Sequence, residues 1–291
     1  MDFNLGSNKI TDSELMTCNE IIRLLMKYYS DRIVGQEKLG KALLITLMTN
    51  NHILLESVPG LAKTTAAKVM TDAVCGKFSR IQCTPDLLPS DIVGTQIFNQ
   101  ANNTFETKQG PVFANFVLLD EINRSSAKTQ SAMLEAMQER QVTIGGALYA
   151  LPEIFMVIAT QNPIEQEGTY LLAEAQLDRF LLKEKLNYPG IIEEIEILNR
   201  IENNIFLDTQ AILPLKEIIF LQDVTKDVYL SNAMKEYIVK LVQATREPEK
   251  IISKELASYI TLGSSTRGAI AFMEASKALA LINRKDICNT R

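Results

Sequence analysis

The chain has 291 residues, 46% of them hydrophobic and 22% charged, so it can bury a sizeable core and is not a disordered segment. A net charge of −5 argues against wholesale binding to nucleic acid phosphate, and a single histidine, His52, excludes serine–histidine–aspartate, cysteine–histidine and multi-histidine metal chemistry. Cys18, Cys75, Cys83 and Cys288 form no C-x-x-C pair, the start is polar, and no apolar run approaches the roughly 18 to 20 residues of a membrane span, which reads as a reduced, cytoplasmic protein.

In chain order, Ile21, Ile22, Leu25 and Met26 fall at helical spacing within 13–29. A break at Val34-Gly35-Gln36 precedes a second helix over 38–48. Ile53-Leu54-Leu55 is a short buried strand closed by Pro59-Gly60, with a helix over about 64–74 behind it. Further strands are predicted at 78–83, 115–120, 154–159 and 180–186, with helical segments between several of them. Apolar strands alternating with helices indicate an α/β layer on a mainly parallel sheet. Two hairpins interrupt that layer. One pairs 95–98 with 104–107 around a turn-rich Asn/Gln stretch, and the other pairs 141–144 with 147–151 around Gly145-Gly146, whose backbone tolerates the positive φ angles of a two-residue turn. After Pro189 the strands stop, and 191–201, 232–245 and 267–282 read as amphipathic helices. The expected organisation is an α/β domain over 1–189 and a helical domain over 190–291.

The residues suited to chemistry sit at strand ends. Ser57-Val58-Pro59-Gly60-Leu61-Ala62-Lys63-Thr64 follows the phosphate-binding pattern G-x-x-x-x-G-K-[ST], except that Ser57 and Ala62 replace its glycines. Backbone N–H groups and a helix N-terminus bind phosphates, Lys63 adds a point charge, and Thr64 offers a hydroxyl to Mg²⁺. The alternative is an ordinary strand–turn–helix corner. Phe116-Val117-Leu118-Leu119-Asp120-Glu121 is a buried-strand run ending in two acids, placed where open α/β sheets bind ligands. Asp120 would hold Mg²⁺ through water and Glu121 would polarise an attacking water, unless the pair merely ends a strand in solvent. Asn162, in Ala159-Thr160-Gln161-Asn162-Pro163, would sit between the other two strand ends or simply start a turn. Arg179 directly precedes the fifth strand and Arg267 opens the last helix; a guanidinium fork suits γ-phosphate, and a solvated surface charge is the plainer reading of each.

The blocks S-V-P-G-L-A-K-T, V-L-L-D-E-I-N-R, K-T-Q-S-A-M-L-E-A-M-Q-E-R-Q-V-T, A-T-Q-N-P and A-Q-L-D-R-F resemble the MoxR family of AAA+ ATPases, in the helix-2-insert clade, across roughly 33–284. The resemblance implies a P-loop NTPase fold: a three-layer α/β/α core on a five-stranded parallel sheet, with a small C-terminal α-helical lid. It implies ATP and Mg²⁺ as cofactors, with Pro59, Gly60, Leu61, Ala62, Lys63, Thr64, Thr65 and Asp120 around the phosphates, and Thr64 and Asp120 toward the metal. Val34 and Gly35 would pass beside the adenine. Glu121 would be the catalytic carboxylate, Asn162 sensor 1, Arg267 sensor 2 for its own subunit, and Arg179 an arginine finger reaching a neighbour.

The hairpins, about 95–112 and 141–152, would be the helix-2 insert and pre-sensor-1 hairpin, facing the pore of a hexameric homo-oligomeric ring. The implied function is chaperone-like remodelling or maturation of partner proteins, with a von Willebrand factor A domain protein as partner. An ATP-gated scaffold with weak hydrolysis is the alternative. Ser57, Ala62 and a lid that ends at Arg291, where a further helical segment is expected, favour it. A nucleic-acid motor fits worse, because 95–107 carries only Glu106 as a charge and 141–151 carries none.

Overall fold

The computed structural model describes residues 10–57, 63–163, 170, 172–203, 205 and 211–288. Helices α1 (Asp12–Arg32) and α2 (Glu37–Met48) precede β1 (Ile53–Glu56), α3 (Lys63–Asp72) and β2 (Phe78–Gln82). A short α4 (Pro89–Val93) leads into a hairpin of β3 (Gly94–Asn99) and β4 (Thr104–Gln109), followed by β5 (Phe116–Asp120) and α5 (Ala127–Glu139). A second hairpin, β6 (Gln141–Ile144) and β7 (Ala147–Ala150), precedes β8 (Met156–Gln161), α6 (Glu174–Leu177) and β9 (Leu182–Lys185). The remainder is mostly helical: α7 (Ile191–Glu202), α8 (Leu215–Asp227), α9 (Asn232–Arg246), α10 (Lys254–Ala257) and α11 (Thr266–Ile282), with two-residue strands β10 (Tyr229–Leu230) and β11 (Ile287–Cys288) paired in parallel.

Local chemistry accounts for the element ends. Thr11 and Glu14 form a reciprocal capping box at the start of α1, the Glu14 carboxylate accepting the Thr11 N–H at 2.8 Å. Ser126 caps α5, and Arg140 ends it in a left-handed conformation at φ 55°. The second hairpin turns on Gly145 and Gly146 at φ 58° and 85°, as its sequence predicts.

The main sheet is entirely parallel, in the order β2-β5-β8-β1-β9. Period-two alternation then builds the layers. Ile53, Leu55, Phe116, Leu118, Met156 and Ile158 face a cluster supplied by α1, α2 and α3. Leu54, Val117, Leu119, Val157 and Ala159 face the opposite cluster, with Met133, Leu134 and Met137 of α5 and Ile92 of α4. Covered on both faces, β5 is buried at every position, and each such aliphatic side chain contributes roughly 1.5–3 kcal/mol. The expected three-layer α/β/α architecture is therefore present.

Helix α8 is an element the sequence analysis leaves unassigned. Its inner face buries Ile218, Leu221 and Val224, but also Gln222 and Thr225, so its apolar pattern is broken. Gln222 Nε2 donates to the Leu47 carbonyl at 2.8 Å and Thr225 Oγ1 to the Leu221 carbonyl at 2.6 Å, which makes those polar positions tolerable inside. No helix among the described residues is long and apolar enough to cross a membrane.

Candidate active site

A parallel sheet collects the carboxyl ends of all its strands along one edge. β8 lies between β5 and β1, so Asn162, directly after β8, sits between the acid pair that ends β5 and the turn that leaves β1. The Ser57 N–H extends the β1–β8 pairing by one bond, to the Gln161 carbonyl at 3.2 Å. Helix α3 begins at Lys63, so its first-turn N–H groups and positive dipole end face the same edge. Lys63 and Thr64 are half-buried and Thr65 is exposed, while Pro59, Gly60, Leu61 and Ala62 lie outside the described residues.

The two acids are held differently. Asp120 is 8% exposed; one carboxylate oxygen accepts from Thr160 Oγ1 at 2.8 Å and the other pairs with Arg80 Nη2 at 2.6 Å. Glu121 leaves the strand in the left-handed region, φ 58° and ψ 53°, uncommon for a residue with a long side chain. Its N–H donates to Thr160 Oγ1 at 2.9 Å, and its Oε2 accepts from Gln82 Nε2 at 3.0 Å and Arg124 Nη1 at 3.3 Å. Asn162 is buried, its carbonyl accepting from Asn123 Nδ2 at 3.4 Å.

The hydroxyl of Thr64 and the carboxylate of Asp120 are hard oxygen donors of the kind Mg²⁺ prefers, and a cation already sits on Asp120 in the form of Arg80. The described residues contain no group of three or more His, Cys, Asp or Glu side chains that could hold a metal ion. Cys83, next to Gln82, is buried, and that burial pushes its thiol up to about 12, so it is no nucleophile. His52 lies at the opposite, amino edge. Its Nδ1 accepts the Val157 N–H at 3.0 Å and its Nε2 donates to the Met137 carbonyl at 3.1 Å. Burial depresses it to about 3, which leaves it neutral and structural.

The two arginines stand away from the acids. Arg179 precedes β9 and therefore lies at the amino edge, its Nη1 donating to the Leu134 carbonyl at 2.8 Å. Arg267, in the first turn of α11, donates to Gln138 Oε1 at 3.4 Å. Both line one cavity of about 170 Å³ with Met137, Gln138 and Asp178. The length of β8 alone separates the two edges by roughly 17 Å, beyond an arginine's reach. Arg267, expected to serve its own subunit, shares one cavity with Arg179 on the side away from the acid pair. On the acid edge, Gly35 (φ 73°) and Gln36 line a cleft of about 290 Å³ with Glu184, Asn187, Tyr188 and Glu193, while Val34 is not among its walls. Gln36 Nε2 donates to the Asn187 carbonyl at 3.2 Å.

Comparison with known proteins gives the family. The profile of the family described as "ATPase family associated with various cellular activities (AAA)" matches 52–182. The chaperone MoxR1 of Mycobacterium tuberculosis is 46% identical over 256 residues, 87% of this chain and 67% of that protein. The uncharacterized protein YeaC of Bacillus subtilis is 44% identical over 255 residues, 87% of this chain and 77% of its own. This chain belongs to the MoxR family of AAA+ ATPases. A crystal structure of a Cytophaga hutchinsonii protein assigned as an ATPase superposes on this MoxR-family chain with a TM-score of 0.86 at 42% identity, over 96% of this chain and 85% of that one.

Four residues of this MoxR-family site escape the sequence reading: Arg80, Gln82, Arg124 and Thr160. Alternation along β2 puts Arg80 and Gln82 on one face at its carboxyl end, and β2 pairs with β5 up to Gln82 opposite Asp120. That signal is present in the sequence, but it acquires meaning only once the strand order is known.

Proposed function

We propose that this MoxR-family protein hydrolyses ATP at the interfaces of a hexameric homo-oligomeric ring. The observation that carries the reading is the separation of the acid pair and Asn162 at one sheet edge from Arg179 and Arg267 at the other. In this reading Lys63, the backbone of 59–65 and the N-terminus of α3 bind the phosphates, and the base lies in the cleft beside Gly35. Glu121 polarises a water and Asn162 orients it, while Arg179 and Arg267 of a neighbouring copy neutralise charge on the γ-phosphate. Mg²⁺, held by Thr64 and through water by Asp120, offsets charge on the β and γ oxygens when bound. Residues 1–189 form the nucleotide-binding core and 190–291 the lid.

The client is a protein. The first hairpin exposes Ile97, Phe98 and Phe105, the two rings packed at 5.2 Å, and the second exposes Leu148. Thr107 and Tyr149 join the hairpins through a 2.9 Å hydrogen bond, and Phe98 and Phe105 share one face of the first hairpin. Remodelling or maturation of a protein complex, with a von Willebrand factor A domain partner in the cytoplasm, extends this reading by family resemblance and is tested by co-purification.

A second reading, an ATP-gated scaffold with weak turnover, has one observation in its favour: Arg80, Gln82 and Arg124 already engage both carboxylates. Phosphate release by wild type and by Glu121→Gln separates the two. A hydrolase loses at least about tenfold on losing the water-polarising charge, whereas a scaffold shows little turnover in either protein.

A further inference from the structure

We propose that Thr160 is the positioning residue for both acids of the site, a single buried hydroxyl that sets the plane of the Asp120 carboxylate and the backbone from which Glu121 projects. The inference rests on the hydrolase reading above and adds a residue to it. Thr160 is 0% exposed and lies in β8, its backbone paired with Leu55 of β1 while its side chain crosses to β5 on the other side. The register brings Leu119 opposite Ala159, so Asp120 and Thr160 are the next neighbours along the same ladder.

A threonine hydroxyl has one proton to give and lone pairs to receive with. An ionised carboxylate only accepts, so the proton goes to Asp120 Oδ1 at 2.8 Å, and the oxygen is left to accept the Glu121 N–H at 2.9 Å. That second bond falls where Glu121 turns into the left-handed region and leaves the β-ladder. The hydroxyl stands in for the strand carbonyl that this N–H would otherwise meet. It therefore acts on both acids at once, on Asp120 through the side chain and on Glu121 through the main chain. The other contacts to the acids come from partly exposed side chains: Arg80 with 50% of its side chain accessible, Arg124 with 44%, and the exposed Gln82. Thr160 is the buried member of the set, and the one that cannot swing into solvent.

Near-ångström misplacement of a reacting group costs on the order of 100-fold in rate. Thr160→Val keeps the branched shape but removes both hydrogen bonds, whereas Thr160→Ser keeps the hydroxyl. We expect Thr160→Val to bind ATP, measured by calorimetry, within about threefold of wild type and to lose at least about tenfold in turnover. Thr160→Ser should stay within about twofold of wild type in both. In a Glu121→Gln background, Thr160→Val should add less than its full loss, because the part exerted through Glu121 is already gone while the part exerted through Asp120 remains.

A role confined to packing would instead lower thermal stability and nucleotide binding together and would add fully to Glu121→Gln. Should Thr160→Val not fold, Thr160→Cys, with a weak S–H in place of the hydroxyl, carries the same prediction. Turnover of the Val variant (or of the Cys variant in its place) within twofold of wild type, equal impairment of the Ser variant, or full additivity overturns the proposal. Wild-type turnover that is absent or unmoved by Glu121→Gln overturns the hydrolase reading itself. Turnover lost in Glu121→Gln but intact in Thr160→Val overturns only the role of Thr160.

Discussion

Suppose two inactive variants are mixed: Arg179→Ala, which keeps the phosphate loop, and Lys63→Ala, which keeps the arginines. Arg179 lies before β9 and the acid pair lies after β5, with the sheet between them. That separation, roughly 17 Å along β8 alone, means Arg179 cannot complete the site of its own chain. Each variant alone should have almost no activity, since a finger supplied in trans contributes about 10³ or more in rate. In an equimolar mixture about one interface in four joins an intact loop to an intact arginine station, so roughly a quarter of wild-type activity should return if the sites act independently.

The cavity shared by Arg179 and Arg267 sharpens the test. Under the proposed shared site, Arg267→Ala mixed with Lys63→Ala should recover in the same way. Arg179→Ala mixed with Arg267→Ala should stay dead, since every station then lacks one guanidinium. The assay is steady-state phosphate release, with mixed oligomers verified by differential tagging. Recovery in the arginine–arginine mixture, or none in the other two although mixed rings form, refutes the reasoning.

Lys63→Ala should weaken ATP binding severely in calorimetry, since Lys63 is the cation at the N-terminus of α3; unchanged affinity would remove the phosphate-loop assignment. His52 carries a pH prediction. Its folded value, near 3, lies below its ordinary value of 6.5, so the stability it confers is complete above about pH 6.5 and is lost as pH falls toward 3. Acidification from pH 7.5 to 5 should cost about 2 kcal/mol through this residue, or roughly 4 °C in melting temperature. His52→Gln should flatten that dependence, and an unchanged pH slope would contradict the assignment.

Much of this protein was legible without coordinates. Leu54, Val117 and Val157 lie in apolar runs long enough for a strand and bounded by breakers, and such local patterns announce a parallel sheet. The acid pair and Asn162 were legible because each ends such a run. Gly145-Gly146 announced its turn because only permissive residues adopt positive φ cheaply. Helix α8 was not legible, since Gln222 and Thr225 interrupt its apolar face and find partners only in the folded chain. Thr160, Arg80 and Gln82 were hidden for a related reason: they join the site across strand pairings that no local window contains. The place of Arg267 was the plainest case. Its residue type and helix start were visible in the sequence, but its place beside Gln138 and Arg179 depends on how α11 packs on α1, α2, α8 and α9. Periodicity is a property of one segment, whereas a site assembled from several segments exists only after they pack.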